Sequence, residues 1–78
     1  MRVVTAIRRF AAHAAQDRVT SGDPLAEGLL DSLAMEHLLL RLESRFRISF
    51  DESDLVARNF ESVGAVVALV ERKRRVDG

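Results

Sequence analysis

The sequence lacks most of what small proteins use to compensate for a small core. It has no cysteine among 78 residues, which excludes disulfide staples, thiolate zinc sites and a cysteine nucleophile. It has no tryptophan and no tyrosine, so a core must come from Leu, Val and Ala with Phe10, Phe46, Phe50 and Phe60. Four scattered glycines, Gly22, Gly28, Gly64 and Gly78, form no glycine-rich loop to cradle a phosphate. The longest nearly continuous apolar run, Val63 to Val70, is far short of the roughly 20 residues that span a bilayer. Arg8 and Arg9 interrupt any signal-like apolar segment, so the expectation is a cytoplasmic chain with no membrane partner. An excess of one charge is missing too: twelve basic residues offset twelve acidic ones. That argues against a strongly basic nucleic-acid binder and against an acidic solvating tail.

What the chain does contain describes a folded domain. Apolar residues make up 47% of it and charged residues 31%, the balance of a soluble globular protein. At this length a single core leaves only about 3–5 kcal/mol of net stability. Residues 1–78 therefore read as one domain, and an enzyme enclosing its own substrate pocket is not expected. The zero net charge conceals a division. Residues 1–16 carry +3, residues 17–61 carry −5 and residues 62–78 carry +2. An acidic middle lies between two basic ends.

Hydrophobic periodicity predicts helices. Val3, Ala6, Ile7, Phe10, Ala11 and Ala14 recur at helical spacing, opposite Arg2, Thr5, Arg8, Arg9, His13 and Gln16, which predicts a first helix over 2–16. Polar residues from Asp17 and the breakers Thr20-Ser21-Gly22-Asp23-Pro24 end it. A connection of roughly fifteen residues follows, long for a compact domain, and Leu25, Leu29 and Leu30 are expected to fold back onto the core. A second helix starts at the capping pair Asp31-Ser32 and runs to about Phe46. Met35, Leu38, Leu39, Leu42 and Phe46 share its inner face. Leu33, His37, Leu40 and Ser44 lie opposite with Glu36 at the edge, so two leucines fall where the core does not need them.

Ile48-Ser49-Phe50 alternates like a strand but is too short to make a sheet. Asp51-Glu52-Ser53-Asp54 has the form of a capping sequence. It predicts a short helix with Leu55 and Val56 as its apolar contacts and Asn59 as its left-handed end. Ser62 caps a last helix whose Val63, Val66, Val67 and Val70 face inward. Arg72, Lys73, Arg74 and Arg75 stand at its C-terminal end, solvated and complementary to the helix dipole. The expected fold is all-α, a small four-helix bundle of three longer helices and one short helix, with a long loop between helices 1 and 2.

Most of the chemistry-bearing residues have plain explanations. His13 and His37, the only two histidines, fall on the polar sides of different helices and fit neither a catalytic pairing nor a zinc spacing. No metal site is expected. The run Arg72–Arg75 is shorter than a typical nucleic-acid patch and has no interleaved aromatics. Ser32 stands apart. Taken alone it is a helix N-cap, worth about 1 kcal/mol. A helix N-terminus also offers free N–H donors and a positive dipole end, so a phosphate esterified there is stabilised. Leu33 and Leu40, rimmed by Asp31 and Glu36, form a docking face beside it.

These residues carry a resemblance. Gly28-Leu29-Leu30-Asp31-Ser32-Leu33 resembles the G-x-x-D-S-L phosphopantetheine-attachment motif of acyl carrier proteins. The likeness continues through Leu38, Leu42-Glu43, Arg45-Phe46, Ile48-Ser49-Phe50, Asp51-Glu52 and Phe60-Glu61-Ser62-Val63, covering about residues 20–72. The three residues DSL are a weak signal alone. Opening an amphipathic helix, with those landmarks after them, they are a strong one.

The resemblance implies the acyl-carrier type of four-helix bundle and a carrier rather than an enzyme. Ser32 would accept 4′-phosphopantetheine from coenzyme A, attached by a phosphopantetheinyl transferase, and the arm's thiol would hold an acyl group as a thioester. Asp31, Leu33, Glu36 and Leu40 would meet partner enzymes: a loading enzyme, then ketosynthase, condensation or tailoring enzymes. Many fatty-acid carriers are acidic along helix 2. Here Arg41 and Arg45 stand beside Glu36 and Glu43, and His37 and Ser44 replace acids. That departure favours a discrete, monomeric carrier of polyketide or related natural-product (antibiotic) biosynthesis. A peptidyl or aminoacyl carrier of a nonribosomal or D-alanyl-type pathway is the alternative. A helical nucleic-acid-binding or adaptor module is more distant, because residues 17–61 hold ten acids against five bases. A small hydrolase using Ser32 has no base nearby in sequence.

Overall fold

A computed structural model of the chain describes residues 2–15 and 22–77. Three α-helices account for most of these: α1 (Val3–Ala14), α2 (Ser32–Phe46) and α3 (Val63–Asp77). No strand occurs among the described residues. The expected end of the first helix at Gln16 and Asp17, and the breakers Thr20 and Ser21, lie outside the described residues.

The three apolar stripes meet as their spacing requires. Ile7 and Ala11 of α1, Leu38 and Leu42 of α2, and Val63, Val66 and Val70 of α3 form one core with Leu25 and Ile48 from the connections. Val3, Phe10, Ala14, Leu30, Met35, Phe46, Phe50, Phe60 and Val67 pack against it. α1 lies against both other helices. Leu69 is also buried, at 1% exposure. The sequence pattern does not assign it inward, because a single apolar stripe does not reveal that α3 is covered on more than one side. Leu39, assigned to the inner face of α2, is only half-buried and stands outside the core cluster.

The segment between α2 and α3 departs from the expectation. A capping box does form at Asp51, whose carboxylate accepts the Asp54 N–H while the Asp54 carboxylate accepts the Asp51 N–H. It opens only a 3₁₀ turn over Glu52–Asp54, and a second 3₁₀ turn follows over Ala57–Phe60. Leu55 and Val56 sit between the two turns and are 49% and 36% exposed, so they are not the apolar contacts of a helix. Phe50 and Phe60 take that role, meeting edge to face with centroids 6.1 Å apart. Asn59 is not left-handed: it lies inside the second turn and its Nδ2 donates to the Asp54 carbonyl at 2.8 Å.

Among the described residues the non-glycine residue in a left-handed conformation is Arg47 (φ 54), which closes α2 by donating its N–H to the Glu43 carbonyl. The basic end of α3 is likewise only partly solvated. Lys73 is largely covered and pairs with Asp54 at 2.9 Å and with Asp51 at 3.7 Å, tying the capping box to the last helix. Among the described residues no helix is long and apolar enough to cross a membrane.

Candidate functional site

Two devices fix where α2 begins. The first lies in the preceding connection, where Asp23-Pro24 opens a tight turn. The Asp23 carbonyl accepts the Glu27 N–H at 2.9 Å, and the Pro24 carbonyl accepts the Leu29 N–H at 3.0 Å. Gly28 leaves this turn at φ 68, a left-handed conformation that a side chain disfavours. Leu25, pointing inward as expected, is 6% exposed, and Leu30 packs on the core while Leu29 is half-buried.

Asp23 itself joins this turn to α3. Its Oδ1 accepts the Leu25 and Ala26 N–H groups at 2.9 and 3.1 Å, and its Oδ2 accepts the Val63 N–H, forty residues away, at 2.8 Å. Burial works to raise the Asp23 pKa. The N–H donors of Val63, Ala26 and Leu25, with the field of Arg8, outweigh it and hold the carboxyl below its ordinary range. Asp-Pro is a readable turn signal. The bond to Val63 is not readable, since nothing in either local sequence names the other.

The second device is the cap. Asp31 is extended (φ −78, ψ −178), and its Oδ1 accepts the Ala34 N–H at 2.8 Å. Asp31, not Ser32, therefore performs the capping that the plainest reading of Ser32 would have it do. Ser32 is the first residue of α2 and is exposed. Its hydroxyl makes no hydrogen bond among the described residues, and the Ser32 and Leu33 N–H groups have no acceptor there. A free hydroxyl thus stands at a helix end that supplies unsatisfied donors and the positive end of the dipole.

The rest of the expected site lies on the outer side of the same helix. Leu33 and Leu40 are 62% and 57% exposed, two turns and about 10 Å apart along the axis. Glu36 lies between them in sequence and is exposed, as is Asp31. His37 and Ser44 are exposed on this side. Glu43 turns away: its Oε2 accepts the Phe50 N–H at 2.8 Å and braces the chain leaving α2. The outward charges of α2 are thereby separated, with Asp31 and Glu36 near its start and Arg41, Arg45 and Arg47 near its end.

The arrangement offers a nucleophile without a base. Among the described residues no hydrogen bond joins Ser32 to a histidine or carboxylate, and no group of three or more His, Cys, Asp or Glu is placed to hold a metal ion. When the chain is compared with known proteins, no family model matches it and no curated sequence matches it significantly.

Proposed function

We propose that the chain is a discrete carrier protein, carrying acyl intermediates on a 4′-phosphopantetheine arm at Ser32. The observation that supports this most directly is the release of Ser32 from capping: Asp31 binds the Ala34 N–H, leaving an exposed hydroxyl beside two N–H groups with no acceptor among the described residues. A residue whose purpose was to stabilise α2 would itself hold the cap. The position suits a phosphodiester, whose charge the helix end and its donors stabilise. With no base beside it, Ser32 depends on a phosphopantetheinyl transferase to transfer the group from coenzyme A. The arm, once attached, supplies the thiol that carries an acyl group as a thioester. That accounts for a thioester carrier having no cysteine of its own.

In this reading the 3₁₀ segment is the short fourth member of an acyl-carrier bundle. The exposed Leu33 and Leu40 with Asp31 and Glu36 are the partner-facing surface, apolar contact giving affinity and charge giving register. The mixed charge of α2 suits partners other than a uniformly basic fatty-acid synthase surface, such as the loading, ketosynthase, condensation or tailoring enzymes of natural-product biosynthesis. The same geometry serves a peptidyl or aminoacyl carrier equally well.

Co-expression with a promiscuous phosphopantetheinyl transferase tests the proposal by intact mass. One phosphopantetheine should be added to the wild type and none to Ser32→Ala. A wild type left unmodified by several such transferases overturns it.

A further inference from the structure

A second surface lies along the α1 side of α2, apart from Ser32. Phe10, Leu40 and Arg41 are shared by two adjoining open pockets of about 400 and 350 Å³, one continuing past Arg45 and the other past His13 and His37. Together they form one groove with an apolar floor. Its cations are unusual in two respects. The Arg41 guanidinium carbon stands 4.5 Å from the Phe10 ring centroid, and that of Arg45 stands 5.4 Å from the Phe46 centroid. Aromatic stacking holds each guanidinium in place, so less side-chain entropy remains to be lost on pairing. Yet neither forms an ion pair with a carboxylate among the described residues.

We infer that this groove docks an acidic amphipathic helix of a partner protein. Charge complementarity selects the occupant. Arg41 and Arg45 are one turn apart, about 6 Å along the axis, the spacing of two carboxylates at i and i+4 on a facing helix. Leu40 and the exposed part of Phe10 take its aliphatic side chains, and preplaced arginines beside aromatics are the residues that concentrate interface energy. A nucleic-acid strand fits less well, because Arg41 already covers the Phe10 face on which a base would stack. This surface shares Leu40 with the one around Asp31 and Glu36 but carries the opposite charge, and the inference does not depend on modification of Ser32.

The test uses the full chain, as wild type and as Ser32→Ala, with a helix-stabilised fluorescent peptide bearing Glu at i and i+4 and Leu at i+3 and i+7. Both proteins should bind it equally, with amide shifts centred on the residues lining the groove. Arg41→Glu with Arg45→Glu should weaken binding by at least about tenfold and should favour the peptide in which Lys replaces Glu. Arg41→Gln with Arg45→Gln should weaken it several-fold and carries the comparison if the Glu variant fails to fold by circular dichroism. No binding, equal binding of the Glu and Lys peptides, or equal competition by a single-stranded oligonucleotide overturns the inference.

Discussion

Asp23 offers the sharpest test of how this small domain holds its site. In Asp23→Ala three backbone N–H groups lose their acceptor. The Ala26 N–H is exposed and turns to water at little cost. The Leu25 and Val63 N–H groups are partly buried, and each lost bond to a charged acceptor costs about 1–2 kcal/mol. The expected loss is about 2–4 kcal/mol, most of the roughly 3–5 kcal/mol available to a domain of this size. With a urea m-value of about 1 kcal/mol/M, the midpoint followed by far-UV circular dichroism should fall by about 2 M or more. Asp23→Asn keeps one carbonyl oxygen and should lose roughly half as much.

The same carboxylate makes a pH prediction. Its pKa in the folded state lies below its ordinary value of 3.8, so its contribution is present above the unfolded pKa and disappears as pH falls through the folded one. Asp51 shifts the same way, chiefly through the hydrogen bond from the Ser53 hydroxyl. The difference between the wild type and Asp23→Ala isolates Asp23: it should be flat from neutral pH to about pH 5 and shrink below about pH 4. A loss under 0.5 kcal/mol at neutral pH, or a difference indifferent to acid, would refute the reasoning.

The two faces of α2 can be separated by truncation. Leu42 is fully buried, and Leu42→Ala should cost about 2–5 kcal/mol; Leu40→Ala, at a site 57% exposed, should stay within about 0.5 kcal/mol by urea melt. Equal losses would mean that the faces are wrongly assigned. Two backbone substitutions should act in opposite directions in the same assay. Gly28→Ala meets open space but inherits φ 68, and should cost about 1 kcal/mol. Arg47→Gly relieves a left-handed side-chain residue at the end of α2 and should add about 0.5–1 kcal/mol.

Much of the site was legible because it is local. The Asp31-Ser32 pair announces a helix start, and 100° per residue puts Leu38 and Leu42 inside and Leu33 and Leu40 outside without reference to the rest of the chain. Which of two adjacent capping residues bonds the free N–H was not legible, since Asp and Ser cap about equally well. The choice depends on how the turn from Asp23 to Gly28 delivers the chain. The region of Leu55, Val56 and Asn59 departs from its sequence pattern for a related reason. Its capping box is genuine, but a cap permits a helix without lengthening it, and the Phe50–Phe60 contact leaves only two short turns there.

Sequence alone therefore determined the absence of cysteine, and with it of disulfides within these 78 residues, the positions of the three long helices and most of the apolar stripe of each. These follow from composition and from a period of 3.6 residues, which any segment expresses by itself. Tertiary structure decided the rest: the latch from Asp23 to Val63, the release of Ser32 by Asp31, the withdrawal of Glu43 to Phe50, and the stacking of Arg41 on Phe10. Each couples groups whose partner is chosen by how the elements pack, and no local pattern encodes that choice.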